Sequence, residues 1–423
     1  MLNAGSKRRK LDLYYHNADC NSLNMNIKNK NRKNWLNKNI VAMGLTSFFS
    51  DFGHEMVTAI LPAFLISVGG SAALLGVIEG VADASISFMK LFSGWYSDFK
   101  GKRKPFAVIG YFLTALGVGS LALASSWIHI LLSRVVAWLG RGTREPARDA
   151  LLVDSTKPAY YGRVFGFHRG MDTLGAIVGP ALAFLLIKSI PLRSIFLVAL
   201  IPSILSFLTI AFFVKERGKP NNEQTRFIGS IKLLPLRFRF FLVAVGVFGL
   251  GNFADSMLIL RATQLLTPVK GAVVAGSLAV LLYTLHNVFY AAFSFPIGAL
   301  SDKIGKKVLL SLGYLLTGIA SLGFILNTTN LIYLGFFFLL AGIAIAITDA
   351  LERTVAADLL PEQLRGTGYG VLATVNGIGD FGSSTITGFL WSSISPLAGF
   401  GYGAVMTIFG AILLFSFKIK KMG

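Results

Sequence analysis

Gly94-Trp95-Tyr96-Ser97-Asp98-Phe99-Lys100-Gly101-Lys102-Arg103 returns 204 positions later as Gly298-Ala299-Leu300-Ser301-Asp302-Lys303-Ile304-Gly305-Lys306-Lys307. Each copy reads Gly-x-x-Ser-Asp-x-x-Gly followed by two basic residues. The same displacement superimposes Asp51 on Asp255, Gly119 on Gly323, Asp154 on Asp358, Gly162 on Gly366, Gly166 on Gly370 and Gly175 on Gly379. The chain is therefore two copies of one unit. Each copy of the motif lies between long apolar segments, which points to a membrane protein built from parallel halves, a plan common among secondary transporters.

Working outward from the motif, the composition is that of a chain dissolved in lipid. Hydrophobic residues make up 54% of it against 14% charged, and the mean hydropathy is +0.64, outside the range of ordinary soluble domains. Crossing the hydrocarbon layer takes roughly 20 mostly apolar residues. Such stretches run over 38–67, 72–96, 105–125, 127–149, 163–188 and 192–214, and then over 240–266, 272–298, 308–327, 330–353, 367–393 and 396–417. They predict an all-α membrane protein of twelve transmembrane helices in two pseudo-symmetric six-helix bundles. The first bundle occupies 35–214, the second 238–418, and a cytoplasmic linker over 215–237 joins them.

Lys and Arg orient such a protein, because cytoplasmic loops carry the excess of basic residues. Lys100, Lys102, Arg103 and Lys104 follow the second stretch; Lys215, Arg217, Lys219, Arg226 and Lys232 fall between the halves; Lys303, Lys306, Lys307, Lys418, Lys420 and Lys421 lie on the same side. The opposite side offers only Lys188, Arg193 and Lys270. Both termini are thus expected in the cytoplasm, on a multi-pass protein of the cell inner (plasma) membrane. The formal charge of +20 is accounted for by orientation and anionic membrane lipid, so no nucleic-acid partner is expected. Residues 1–34, rich in Asn and Lys, read as a disordered basic cytoplasmic tail, with a second short tail at 419–423. The basic start has no hydrophobic core region of a signal peptide after it, so the first span is expected to act as an uncleaved targeting element. Cys20 is the only cysteine, which excludes intrachain disulfides and cysteine metal sites. Asn327-Thr328-Thr329 fits a glycosylation sequon, a weak three-residue pattern.

These residues resemble the major facilitator superfamily, and the resemblance covers the chain from about residue 38 onward. The repeated signature is similar to that family's loop between the second and third spans, at Gly94, Asp98, Gly101, Lys102 and Arg103 and again at Gly298, Asp302, Gly305, Lys306 and Lys307. The resemblance implies a gate. Asp98 would hold the cytoplasmic side closed with Arg148 as charge partner, and Asp302 and Arg353 would occupy comparable places. Gly166, Gly175, Gly179 and Pro180 resemble the fifth-span signature of the proton-coupled drug antiporters, although Ala183 and Phe184 stand where that pattern closes with two glycines. In physical terms Gly175 and Gly179 share a helical face that permits close packing, and Pro180 removes a backbone donor. Gly140-Arg141-Gly142-Thr143-Arg144-Glu145-Pro146-Ala147-Arg148-Asp149-Ala150-Leu151 resembles a pattern of one prokaryotic branch and names no cargo.

A charge at the centre of a membrane helix costs at least ~2.5 to 3.5 kcal/mol on insertion scales, so each one needs a reason. Asp51, Glu55 and Thr58 share one helical face of the first span, and Glu79, Asp83, Ser87 and Lys90 share one of the second. Asp51, Glu55, Glu79 and Asp83 are expected to include a proton or cationic-substrate site, with Arg134, Asp172, Asp255 and Arg261 as partners. The plain alternative is internal ion pairing, of Lys90 with Asp83 or of Arg169 with Asp172. His54-Glu55-Met56-Val57-Thr58 opens like a zinc-protease motif, but Thr58 stands where its second His is required. Metal hydrolysis and a metal site are therefore not expected. No Walker loop ending in Gly-Lys-Ser/Thr occurs, so energy is expected from an ion gradient, with no enzyme activity and no cofactor. The expected function is alternating access by a monomer carrying a small-molecule substrate, proton-coupled and outward. Uptake symport of a sugar, organic acid or metal chelate is the alternative, and a non-transporting membrane sensor or assembly protein stands below both.

Overall fold

The computed structural model describes residues 36–100, 102–157, 160–216, 233–361 and 364–416, and within them every regular element is a helix. In chain order these are α1 (Lys38–Ser67), α2 (Ala72–Lys100), α3 (Lys104–Leu121), α4 (Trp127–Asp154), α5 (Tyr161–Leu186), α6 (Leu192–Phe213), α7 (Leu236–Gly249), α8 (Ser256–Lys270), α9 (Ala272–Ile304), α10 (Lys306–Gly323), α11 (Leu331–Leu359), α12 (Arg365–Ser393) and α13 (Pro396–Ser416). All-helical structure is what lipid demands, since a helix satisfies its own backbone groups. Asparagine and serine start several of them. Asn37 caps α1 by accepting from Ile40 N at 3.1 Å, and Asn330 caps α11 by accepting from Ile332 N and Tyr333 N. The tails and most of the linker lie outside the described residues.

Seven helices, α2, α3, α5, α6, α9, α11 and α13, are long and apolar enough to cross a membrane by composition. The others carry polar inward faces or are short. The stretch expected as a single span over 240–266 is two helices, α7 and α8, parted at residues 250–255. The cause is packing. A Cβ on Gly251 would lie 2.6 Å from the Gly403 carbonyl, and Gly249 meets Gly379 backbone to backbone. The freed backbone groups find side-chain partners on α12: Ser383 Oγ donates to Asn252 O at 2.9 Å, and Ala254 N donates to Ser384 Oγ at 3.1 Å. A helix break at membrane depth is tolerated when neighbours satisfy it in this way.

Helix neighbours repeat along the chain. α2 packs on α4, α3 on α4 and α3 on α6; the displacement of 204 residues carries these to α9 on α11, α10 on α11 and α10 on α13. It also exchanges the two largest contacts between the halves, α2 on α12 and α5 on α9.

Buried apolar side chains form three main cores. One draws on both halves, from Ile60, Phe64 and Phe196 to Met257, Leu266, Tyr283 and Phe400. It lies at the far face, beside the α1–α2 turn. At the near face, which carries Asn37, Arg103 and Lys306, each half has a core of its own. Ile40, Tyr111 and Leu152 belong to the first; Phe241, Tyr314 and Val355 belong to the second. Small residues close the far face. A Cβ on Gly76 would collide with the Ser384 carbonyl, one on Gly388 would lie 2.5 Å from the Ala72 carbonyl, and Ala73 N donates to Ser392 Oγ at 2.9 Å.

Candidate functional site

Charged side chains line the interior of α4 in a column. Arg134, Trp138, Arg141, Glu145 and Arg148 recur at steps of four and three, which places them on one face. The polar face of α2 meets that column in three rungs of equal sequence offset. Arg134 Nη2 reaches Glu79 Oε2 at 2.5 Å, Trp138 Nε1 donates to Asp83 Oδ1 at 2.9 Å, and Lys90 Nζ reaches Glu145 Oε2 at 2.7 Å. Lys90 thus serves Glu145 rather than Asp83, because α2 and α4 run parallel in this register. Arg134 and Glu79 are only 2% and 3% exposed. A pair so fully withdrawn from water is held by geometry, and the Arg134 guanidinium also stacks 3.6 Å from the Trp138 ring centre.

α1 supplies the next layer. Asp51 Oδ1 lies 3.7 Å from Arg141 Nη2, Arg141 Nε donates to Glu145 Oε1 at 3.0 Å, and Arg144 bonds Ser50 while covering the Tyr111 ring at 4.2 Å. Asp172 on α5 accepts from Ser47 and stands 3.5 Å from His168 Nδ1. These partners, rather than the Arg169 of the ion-pairing alternative, hold Asp172. Arg148 spans Asp149 at 3.0 Å and Ser47 at 3.5 Å.

The line of polar groups then crosses between the halves. The His54 ring packs on Trp138 at 4.5 Å, and His54 Nε2 lies 3.7 Å from Glu55 Oε1. Glu55 Oε2 in turn accepts from the Tyr283 hydroxyl of α9 at 2.7 Å. Tyr283 stacks on His286, whose Nε2 lies 3.9 Å from Asp255 Oδ2. Asn287 Nδ2 adds a second bridge, to Ala176 O of α5 at 3.1 Å. Glu55, Glu79, Asp83, Arg134 and Asp255 thus belong to one chain of contacts, with Asp51 and Asp172 beside it. Arg261 does not join them: it turns away to Phe324 O at 3.0 Å and Asn327 Oδ1 at 2.7 Å.

The second half has its own buried carboxylate, unmarked by the repeat. Glu352 takes the position equivalent to Arg148 and accepts from Tyr314 at 2.6 Å and Asn376 at 2.8 Å. Tyr290 donates to Asp349 at 2.9 Å. Tyr283, Trp138, Arg141 and Glu145 also escaped the selection from sequence. For the α4 residues the signal was present, as a run of charges at helical spacing within an apolar stretch.

At the near face the basic ends of the repeated motif bind the acid that the repeat places at the end of α4 and α11. Arg103 Nη1 meets Asp154 Oδ2 at 2.5 Å, and Lys306 Nζ meets Asp358 Oδ2 at 2.8 Å. Lys307 Nζ donates to Phe415 O at 2.7 Å, Lys102 is exposed, and so is Arg353. Gly305 joins α9 to α10 at φ +97°, a conformation that favours glycine. Gly101 lies outside the described residues, as do the side chains of Asp98 and Asp302 and the surroundings of Gly94 and Gly298. In α5, a Cβ on Gly175 would collide with the Phe48 carbonyl and one on Gly179 would lie 2.5 Å from the Phe52 carbonyl, while Gly166 faces open space. Gly175 and Gly179 therefore seat α5 on α1, and Pro180 lies inside α5.

A helical membrane fold with charged interior faces and paired halves defines the transporter class. The sequence family model described as Major Facilitator Superfamily matches residues 43–280 and 262–421. The chain belongs to the Major Facilitator Superfamily. It is 37% identical to an uncharacterised MFS-type transporter of Methanocaldococcus jannaschii over 92% of this chain and 96% of that one. It is 25% identical to the multidrug resistance protein MdtH of Baumannia cicadellinicola over 73% of each, and 26% identical to the cis,cis-muconate transport protein of Acinetobacter baylyi over 82% of this chain and 86% of that one. Among solved structures, that of the nucleoside transporter NupG superimposes with a TM-score of 0.73 at 13% identity, covering 90% of this chain and 99% of that chain.

Proposed function

We propose that this protein is a secondary active transporter that moves a small organic molecule by alternating access, coupled to protons and in the outward direction. Its two bundles, residues 35–214 and 238–418, rock about the central contacts, with α7 and α8 together forming one of twelve spans. The near face is the cytoplasmic one, by the basic residues gathered there. The state described is then inward-facing, because the shared apolar core lies at the far face and the near-face cores are separate.

The observation that carries the reading is the Tyr283–Glu55 hydrogen bond between the halves at 2.7 Å. An ionised Glu55 holds Tyr283 by a charge-assisted bond, roughly twice as strong as a neutral one. Protonation weakens that bond and so favours separation of the halves at this level. Glu55 is a carboxylate whose proton changes an interface, and that is the element a proton-driven transporter needs. Outward direction draws support from the likeness to MdtH and from the fifth-span glycines. The likeness to the muconate transport protein gives uptake symport as the second reading.

Everted membrane vesicles carrying a pH-sensitive dye and challenged with a panel of organic cations, anions and neutral molecules test both readings. An exporter releases protons from acidified vesicles when its substrate is added, and a symporter does not. Glu55→Gln is expected to fold and insert while losing the proton signal; an unchanged signal would remove Glu55 from the mechanism.

A further inference from the structure

Where the seventh span breaks, a pocket opens within the second half, bounded by the 250–255 stretch, α8, α10 and α11. Gly251, Asn252, Asp255, Thr317, Ser321 and Thr348 supply its polar lining. Asp255 is the only charged side chain in that lining. We infer that this pocket binds a monovalent hard cation of the sodium class.

The hydroxyls argue for it through where their protons go. Thr317 Oγ1 donates to Gly313 O at 3.2 Å, Ser321 Oγ to Thr317 O at 3.0 Å, and Thr348 Oγ1 to Ile345 O at 3.1 Å. With each proton committed to its own helix, the three oxygens have only lone pairs left to offer the pocket. One carboxylate among neutral oxygens matches a single positive charge. A divalent ion such as calcium gathers more ligands and more negative charge. Softer metals want nitrogen and sulfur, and among the described residues no group of three His, Cys, Asp or Glu side chains converges.

A second observation comes from the other side of Asp255. Asn287 Nδ2 donates to Ala176 O at 3.1 Å, which leaves Asn287 Oδ1 as the acceptor facing His286 Nδ1 at 3.3 Å. His286 is thereby assigned its proton on Nδ1, and its buried Nε2 presents a lone pair toward Asp255 Oδ2 at 3.9 Å without a hydrogen-bond partner. Two acceptors face one another. Ser256 Oγ, on the residue that follows Asp255, is buried and unpartnered as well. A cation on Asp255 relieves this opposition, and it ties α8 to α10 and α11 across the break. The site does not depend on the proposed direction or coupling, because binding is measured on protein that transports nothing.

The test uses the purified full chain in detergent, unfolded by heat in sodium, lithium, potassium or choline chloride at matched ionic strength. Sodium is expected to raise the midpoint over choline by ~3 °C. Asp255→Asn is expected to abolish that rise and Ser321→Ala to reduce it, while Asp358→Asn, paired with Lys306 at the near face, keeps it. Should Asp255→Asn fail to fold, saturable binding of radioactive sodium to the unaltered protein and to Ser321→Ala decides the matter. Equal midpoints in sodium and choline, or a sodium rise retained in Asp255→Asn, would overturn the inference. So would stabilisation by acid with no preference among the salts.

Discussion

At the level of single residues, the proposed mechanism divides the buried charges into those that lock and those that can move. Arg134 and Glu79 lock. Removing one partner strands the other in an apolar setting, and Arg134→Ala is expected to lower stability by about 3 to 5 kcal/mol, with Glu79→Gln in the same background restoring part of it. Thermal unfolding of the two single variants and the double variant in detergent measures the coupling; simple additivity would mean the pair is not formed. Glu55 and Tyr283 belong to the second kind. Tyr283→Phe removes the hydroxyl and keeps the ring on His286, so it is expected to cost about 1.5 to 3 kcal/mol of stability while weakening proton coupling as is expected of Glu55→Gln. Their combination should be no worse than either alone in the vesicle dye assay. Helical spacing made the polar faces of α1 and α2 legible in advance. Their partners were not, because the match of Lys90 to Glu145 depends on how two helices 55 positions apart slide against one another, and hydropathy carries no trace of that register.

At the level of the helix, glycine and serine decide more than the charged groups do. The break between α7 and α8 left no mark in hydropathy, since Gly249, Leu250 and Gly251 are as compatible with a membrane helix as with its interruption. What forces it is the approach of Gly403 and Gly379 and the presence of Ser383 and Ser384 on α12, a tertiary cause. Ser383→Ala with Ser384→Ala withdraws partners from Asn252 O and Ala254 N, and each loss is expected to cost about 1 to 3 kcal/mol. A melting temperature unchanged by both substitutions would show that the break holds without them. The motif in α5 was legible as a packing face. The contacts of Gly175 and Gly179 with the α1 backbone give it a concrete role inside the first half. A larger side chain at Gly175 is expected to disrupt folding rather than transport alone, read as loss of monodisperse protein on size exclusion.

For the molecule as a whole, the repeat at a spacing of 204 residues announced two like units, and the exchange of α2 on α12 with α5 on α9 is its spatial counterpart. The sequence left open which end the halves share. That depends on the placement of Gly76 and Gly80 of α2 against α12 and of Gly388 of α12 against α2, which only the folded chain reveals. If transport requires this end to open, Ala73→Cys with Ser392→Cys should lose activity on oxidation and regain it on reduction, with each single variant unaffected. Retained transport in the crosslinked protein, its bond verified by mass, would refute rocking of the halves.

Only one of the three cores is shared between the halves, and it lies at the far face. In the proposed orientation, the inner leaflet surrounds the two separate cores and the outer leaflet the shared one, so lateral pressure is expected to act unequally on the two ends. Lipids that crowd their acyl chains in the inner leaflet are then expected to favour approach of the two near-face cores, so that transport in vesicles would depend on curvature stress as well as on cargo.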